Sequence, residues 1–220
     1  MMQAAKNALA ALTLAGIAAA SAGCADANRN TAVYLLLDTS GTYTEEIDRA
    51  NAIVNYLLGS LDTGDSLAVA RIDSASFSEE DIVERTTFDG QPSKANEQKR
   101  GFRRTMTAFF DDLESAPYTD IRGGLLQAGE WLEETDAGER HILIFSDLKE
   151  ELPPGHRRDF ELPLKNTDVV ALNVAKLRPD QVDPQRYLDR LDSWRQEVAE
   201  VGGRFRMIND LSRLEGLLRQ

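Results

Sequence analysis

Ala32-Val33-Tyr34-Leu35-Leu36-Leu37-Asp38-Thr39-Ser40-Gly41-Thr42 is the stretch whose reading decides the fold. Its unbroken apolar run, stopped by an acid, reads as a strand buried on both faces, because a strand with one wet face would alternate. Asp38, Ser40 and Thr42 follow at alternate positions, and a helical pattern begins a few residues later. In an open α/β sheet, ligands bind beyond the carboxyl ends of the strands. These oxygens therefore stand where a site is expected. One carboxylate and two hydroxyls form a hard-oxygen set, suited to Mg²⁺, Mn²⁺ or Ca²⁺.

Outward from this stretch the chain alternates between helical and extended patterns. Glu45 and Glu46 open a helix, and Ile47, Ala50, Val54, Leu57, Leu58 and Leu61 recur at helical spacing. Residues 66–72 read as a second strand and residues 83–88 as a half-exposed edge strand. The short connection between them suits an antiparallel pair. A helix over about residues 93–113 carries Lys94, Lys99, Arg100, Arg103 and Arg104. That cluster is either a solvated face that balances nearby acid or a contact for anionic head groups or an acidic partner.

A further helix follows Thr119, and Gly123 and Gly124 near its start are costly unless the backbone packs closely there. A strand over residues 140–146 leads into a long loop, 148–166, with Pro153-Pro154-Gly155 in it. Loops of that length are usually functional or disordered. A fifth strand spans 168–174. A helix opened by Asp183-Pro184 ends at Gly202-Gly203, a sixth strand covers 204–208 and a last helix 210–218. Strands alternating with helices give an α/β, doubly wound, mainly parallel sheet with helices on both faces, in one domain over residues 31–220. His141 reads as packing or as a satisfied polar residue.

Asp38-x-Ser40-x-Thr42 after the first strand resembles the metal-ion-dependent adhesion site of von Willebrand factor A (VWA) domains. Thr42 stands where the family has Ser, and it keeps the hydroxyl. Tyr118-Thr119-Asp120-Ile121-Arg122-Gly123-Gly124-Leu125 is similar to the family's Thr-bearing segment before the central helix. His141-Ile142-Leu143-Ile144-Phe145-Ser146-Asp147 matches its fourth strand ending on Asp. The three pieces occur in family order. The resemblance implies strand order 3-2-1-4-5-6, with the third strand antiparallel at an edge. It also implies a metal site of Asp38, Ser40, Thr42, Thr119 and Asp147, holding Mg²⁺ (or Mn²⁺ or Ca²⁺) and accepting an acidic side chain from a protein partner.

The formal net charge of −12 argues against nucleic acid as a partner, which wants a basic surface. Lys6 precedes an apolar run over residues 8–20, too short to cross a membrane and suited to a signal peptide over residues 1–23. Ser21-Ala22-Gly23-Cys24 resembles a bacterial lipobox, with Ser21 where Leu is usual. Cys24 would then carry a lipid anchor, followed by a polar tether over residues 24–30. Ordinary cleavage after Ala22, leaving a soluble periplasmic protein, is the other reading. Cys24 is the only cysteine, so no intrachain disulfide staples the fold.

Three functions are open at this level. The first is an exported, lipid-anchored binding module of the cell envelope. The second is a metal-free domain of the same type acting through its helical faces. The third is a metal-dependent hydrolase. Phosphoryl-transfer enzymes of the haloacid dehalogenase type place a second Asp two residues after the first, where this chain has Ser40. Gly-x-x-x-x-Gly-Lys and Gly-x-Ser-x-Gly are absent. The expectation is that the chain is not an enzyme.

Overall fold

The computed structural model describes residues 29–40, 46–73 and 78–216. The expected signal peptide, Cys24 and Thr42 lie outside these residues. Strand β1 (Thr31–Asp38) is followed by α1 (Ile47–Ser60), β2 (Ser66–Ile72), β3 (Ile82–Thr87) and α2 (Pro92–Asp111). Then come α3 (Ile121–Glu134), β4 (Glu139–Phe145), β5 (Asp168–Leu172), a short α4 (Arg178–Val182), α5 (Gln185–Glu200) and β6 (Arg204–Ile208).

The strands form one six-stranded sheet in the order β3-β2-β1-β4-β5-β6. β1 pairs in parallel with β2 and β4, β4 with β5, and β5 with β6, while β3 runs antiparallel to β2 at the edge. The doubly wound fold expected from the sequence is therefore the fold observed, with β1 near the centre and both of its faces covered.

Alternate residues of the strands feed two cores. Ala32, Tyr34, Leu36, Ile142 and Ile144 face α3 and α5. Val33, Leu35, Leu37, Leu143 and Phe145 face α1 and α2. Each fully buried Leu, Val or Phe here contributes about 1.5–3 kcal/mol relative to exposure. Gly124 is required by this packing: a Cβ at that position would sit 3.0 Å from Leu36 Cδ2. The glycine lets α3 press against β1 and so fixes the height of the Thr119 segment relative to Asp38. Among the described residues, no helix is long and apolar enough to cross a membrane.

Three expectations need correction. Over the described residues of the expected last helix the chain forms a 3₁₀ turn, Leu211–Gly216. Leu214 in this turn is buried against the α1 and α2 face of the sheet. The turn Arg178–Val182 was not anticipated; it is opened by Asp180 Oδ2, which accepts from the Leu177 N–H at 2.9 Å. Of the two readings of His141, packing holds, since it is buried; the satisfied one does not, since neither ring nitrogen has a hydrogen-bond partner. Burial pushes its imidazole below its ordinary pKa, against the opposite pull of Asp168 and Glu139.

Candidate metal-binding site

Asp38 ends β1 and is 4% exposed. Its two oxygens are separately engaged: Oδ1 accepts from the Ser40 N–H at 2.9 Å and Oδ2 from the Ser146 hydroxyl at 2.6 Å. The first bond folds the backbone over the strand end, so Ser40 turns back above Asp38. Ser40 then forms an isolated bridge to Ala116, and the Ala116 N–H donates to the Thr39 carbonyl at 2.9 Å. Thr39 itself points away, its hydroxyl donating to the Ile72 carbonyl at 3.1 Å.

These contacts dock the connection before α3 onto the end of β1. Thr119, 3% exposed, is carried on that connection. It is held by paired backbone bonds to Glu151: Thr119 N–H to the Glu151 carbonyl at 2.8 Å, and Glu151 N–H to the Thr119 carbonyl at 2.9 Å. The 148–166 loop therefore lies against Thr119. Glu150 strengthens the attachment, since its Oε1 accepts from the Arg122 N–H at 3.0 Å and its other oxygen pairs with the Arg122 guanidinium. Asp120 caps α3, its Oδ1 accepting from the Gly123 N–H at 2.9 Å. Fully buried, it is also gripped by Arg158 from the same loop.

Asp147 follows β4 and is 5% exposed. Its Oδ1 accepts from the Lys149 N–H at 2.8 Å. The next residue, Leu148, has φ of 63°, in the left-handed region that a branched side chain rarely adopts. The neighbours hold that conformation: the Leu148 N–H donates to Ser146 Oγ at 3.0 Å and its carbonyl accepts from Trp194 Nε1 at 2.9 Å. Arg190, paired with Asp180, donates from Nε to the Asp147 carbonyl at 3.0 Å. Backbone strain fixed by so many partners is commonest at functional sites.

Desolvation by burial pushes the Asp147 carboxyl up to about 6; the Lys149 N–H opposes the shift and the nearby Asp38 charge adds to it. Two buried carboxylates close enough to feel each other are a natural seat for a cation. The donor set fits one. Each oxygen of Asp38 spends one lone pair on the protein and has another. The Ser40 and Thr119 hydroxyls add neutral oxygens. Among the described residues no cluster of three or more His, Cys, Asp or Glu could hold a metal. Asp38 and Asp147 are two carboxylates, so a cation held there would need hydroxyl oxygens as well.

Asp147 has a consequence for stability. A raised folded pKa means that the native state binds its proton more tightly than the unfolded chain does. Without a cation, stability should fall as pH rises from about 4 through about 6. The ionised carboxylate then costs about 3 kcal/mol at neutral pH. Asp147→Asn, which keeps the acceptor for Lys149, should be the more stable protein at neutral pH in chelator, with the gap closing towards pH 4. Urea unfolding across that range checks this. A wild type that outlasts the variant at pH 7 would refute it.

The structure thus brings Asp38, Ser40, Thr119 and Asp147 to one end of the sheet; Thr42 lies outside the described residues. Ser146, Asp120, Arg158 and Arg190 were not singled out in the sequence. Ser146 had a signal, as the hydroxyl beside Asp147 at a strand end. Asp120 had one as well, as an acid just before a helix. Arg158 and Arg190 had none.

Solved structures share the fold over most of this chain. Pilus adhesin SpaC from Lactobacillus rhamnosus GG, in its open conformation, superposes with a TM-score of 0.51 and 13% identity, over 86% of this chain and 29% of that one. A von Willebrand factor type A protein from Catenulispora acidiphila gives 0.48 and 15%, over 87% and 41%. BatB from Bacteroides thetaiotaomicron gives 0.48 and 12%, over 86% and 96%. This chain spans less than half the length of the first two. No protein-family model matches the sequence. No curated protein matches it. At such identities the likeness speaks for the fold alone.

Proposed function

We propose that the chain is an exported VWA-type binding module that holds a protein partner through a divalent cation at Asp38, Ser40, Thr42, Thr119 and Asp147. The observation that carries this reading is the pair of buried carboxylates, Asp38 and Asp147, placed beside each other at the carboxyl ends of β1 and β4. An ion bound there supplies a positive centre with exchangeable positions, since Mg²⁺ tends to keep waters. The chain's own residues do the rest. Two carboxylates roughly neutralise a divalent ion, and the hydroxyls add no charge, so the site keeps an affinity for one more anionic oxygen. An Asp or Glu of the partner supplies it. The 148–166 loop, strapped to Thr119 and Arg122, forms a wall of the site and shapes which partner fits.

Pull-down with the domain in Mg²⁺ against the same in chelator tests the proposal. A partner captured only with the ion supports it, and one held equally well in chelator favours a metal-free module acting through its helical faces. That second reading has one observation behind it: both Asp38 oxygens already accept protein hydrogen bonds. The reading includes a lipid anchor at Cys24 and a place in the bacterial cell envelope, on the pattern of residues 6–24. Cys24→Ser should move the protein from the membrane fraction to the soluble one. Persistence in the membrane fraction would remove the anchor from the proposal.

A further inference from the structure

The end of the sheet opposite the candidate metal site carries a second constellation. His141, Asp168 and Arg204 are aligned in register across β4, β5 and β6, so their side chains share one face at the amino ends of these strands. Glu139 and Arg206 stand two residues away from members of this row, on the same face. With Arg140 they line a cavity of about 140 Å³.

His141 is 4% exposed and neither ring nitrogen is hydrogen-bonded. The nearest carboxylates are too far to bond: Nδ1 is 3.8 Å from Asp168 Oδ2, and Nε2 is 3.9 Å from Glu139 Oε2. A buried polar ring without partners is rare and calls for an occupant of the cavity.

Water alone would satisfy the ring, but two guanidinium groups, those of Arg204 and Arg206, stand beside it on the same face of the sheet. Arg204 Nε donates to Asp168 Oδ1 at 2.7 Å and Arg206 Nη2 to Oδ2 at 3.3 Å. Asp168 thereby neutralises one charge and fixes the orientation of both forks. Each arginine spends one N–H on these bonds and has others to offer. These two guanidinium groups, 71% and 43% exposed, face Asp168, which is buried, and Glu139, which is half exposed.

We propose that this cavity binds a small phosphate oxyanion that carries a proton: inorganic hydrogen phosphate or a phosphomonoester head group. Its oxygens accept from the Arg204 and Arg206 forks. A neutral imidazole offers one N–H and one lone pair. Hydrogen phosphate complements both, because it has acceptor oxygens and a P–OH donor. Sulfate has the same shape and no proton at neutral pH, so it leaves the lone pair unmet. The cavity is too small for a nucleotide. Either source of the phosphate is compatible with its position, since the N-terminal segment reaches the sheet at this edge: the Asn30 carbonyl accepts from the Gly138 and Glu139 N–H groups at 3.1 and 3.3 Å. The proposal is independent of the metal site.

Calorimetry on the wild-type protein at neutral pH and constant ionic strength tests it, with inorganic phosphate and sulfate as probes. Saturable phosphate binding with a Kd of about 1 mM or tighter is expected, at least tenfold tighter than sulfate. Arg206→Gln, on an exposed strand where folding is not at risk, should weaken phosphate tenfold or more. His141→Leu, which offers neither a donor nor an acceptor, should do the same if circular dichroism shows it folded. Asp38→Ala should leave phosphate binding unchanged. Absence of saturable binding, equal affinity for sulfate, or an unaffected Arg206→Gln would each overturn the proposal. Vesicles of phosphatidic acid in phosphatidylcholine then distinguish the source. Binding that inorganic phosphate displaces supports a head group, and vesicles ignored while the free ion binds support inorganic phosphate.

Discussion

Millimolar Mg²⁺ should raise the melting temperature of the wild-type domain, and Asp38→Ala should abolish the rise. The argument is mass action: an ion that binds only the folded chain stabilises it by RT ln(1 + [L]/Kd), about 2.7 kcal/mol at a hundredfold excess over Kd. For a domain of this size that is about 5–10 °C, at about 2–4 °C per kcal/mol. Asp38 is the residue to remove because it organises its surroundings. Its oxygens hold the Ser40 backbone and the Ser146 hydroxyl in place, and its charge faces Asp147. Without it the ion loses one of two anionic ligands, and the turn that presents Ser40 loses its anchor. Thr42→Ser, which keeps the hydroxyl, should leave the rise intact. A wild type whose unfolding is indifferent to Mg²⁺ and Mn²⁺ at millimolar concentration would remove the metal from the proposed function.

Arg158→Ala should be the most destabilising exposed-loop substitution, by about 3–5 kcal/mol. Asp120 is fully buried, and Arg158 meets it with two nitrogens: Nε lies 3.1 and 2.9 Å from its oxygens, and Nη2 bonds Oδ2. The pair itself need not be worth that much. Removing one partner leaves an uncompensated charge in a low-dielectric interior, which is the costly state. The companion variant separates the two effects. Asp120→Asn together with Arg158→Ala should recover most of the loss, because the amide oxygen still caps Gly123 without a charge to bury. Urea denaturation at neutral pH measures all three proteins. If Arg158→Ala unfolds at the same urea concentration as wild type, the 148–166 loop is not fastened to the helix start in the way described. Deleting residues 153–155, at the loop's solvent-facing tip, should cost little by comparison.

The sequence by itself located the strands, the fifth with two residues too many at its end, while their order was what the family resemblance implied. Apolar runs and their bounding polar residues marked β2 and β6 over the residues where they occur, and β1, β3 and β4 to within a residue. Periodicity is a local property, and burial on one or both faces writes it directly into the residue order. The carboxylates at the ends of β1 and β4 were legible for the same reason, since a strand end is a place that the pattern itself locates. Gly124 could be read as a close approach, and the structure supplied Leu36 as what it approaches.

What only the tertiary structure decided is how those strand ends are held. Ser146 bonds Asp38 across 108 residues, Arg158 reaches Asp120 across 38, and Arg190 reaches the Asp147 carbonyl across 43. None of these pairs lies within one element, so no spacing rule announces them. They depend on the register between strands and on the path of a loop that has no period of its own. Whether His141 packs with its polar atoms satisfied was illegible for a related reason: its own neighbours in sequence are ordinary strand residues. Its missing partners follow from Asp168 having been taken by two arginines on β6. Local pattern fixes where a side chain points. Which groups it meets is decided by elements arriving from elsewhere in the chain, and there the competition for hydrogen bonds is settled.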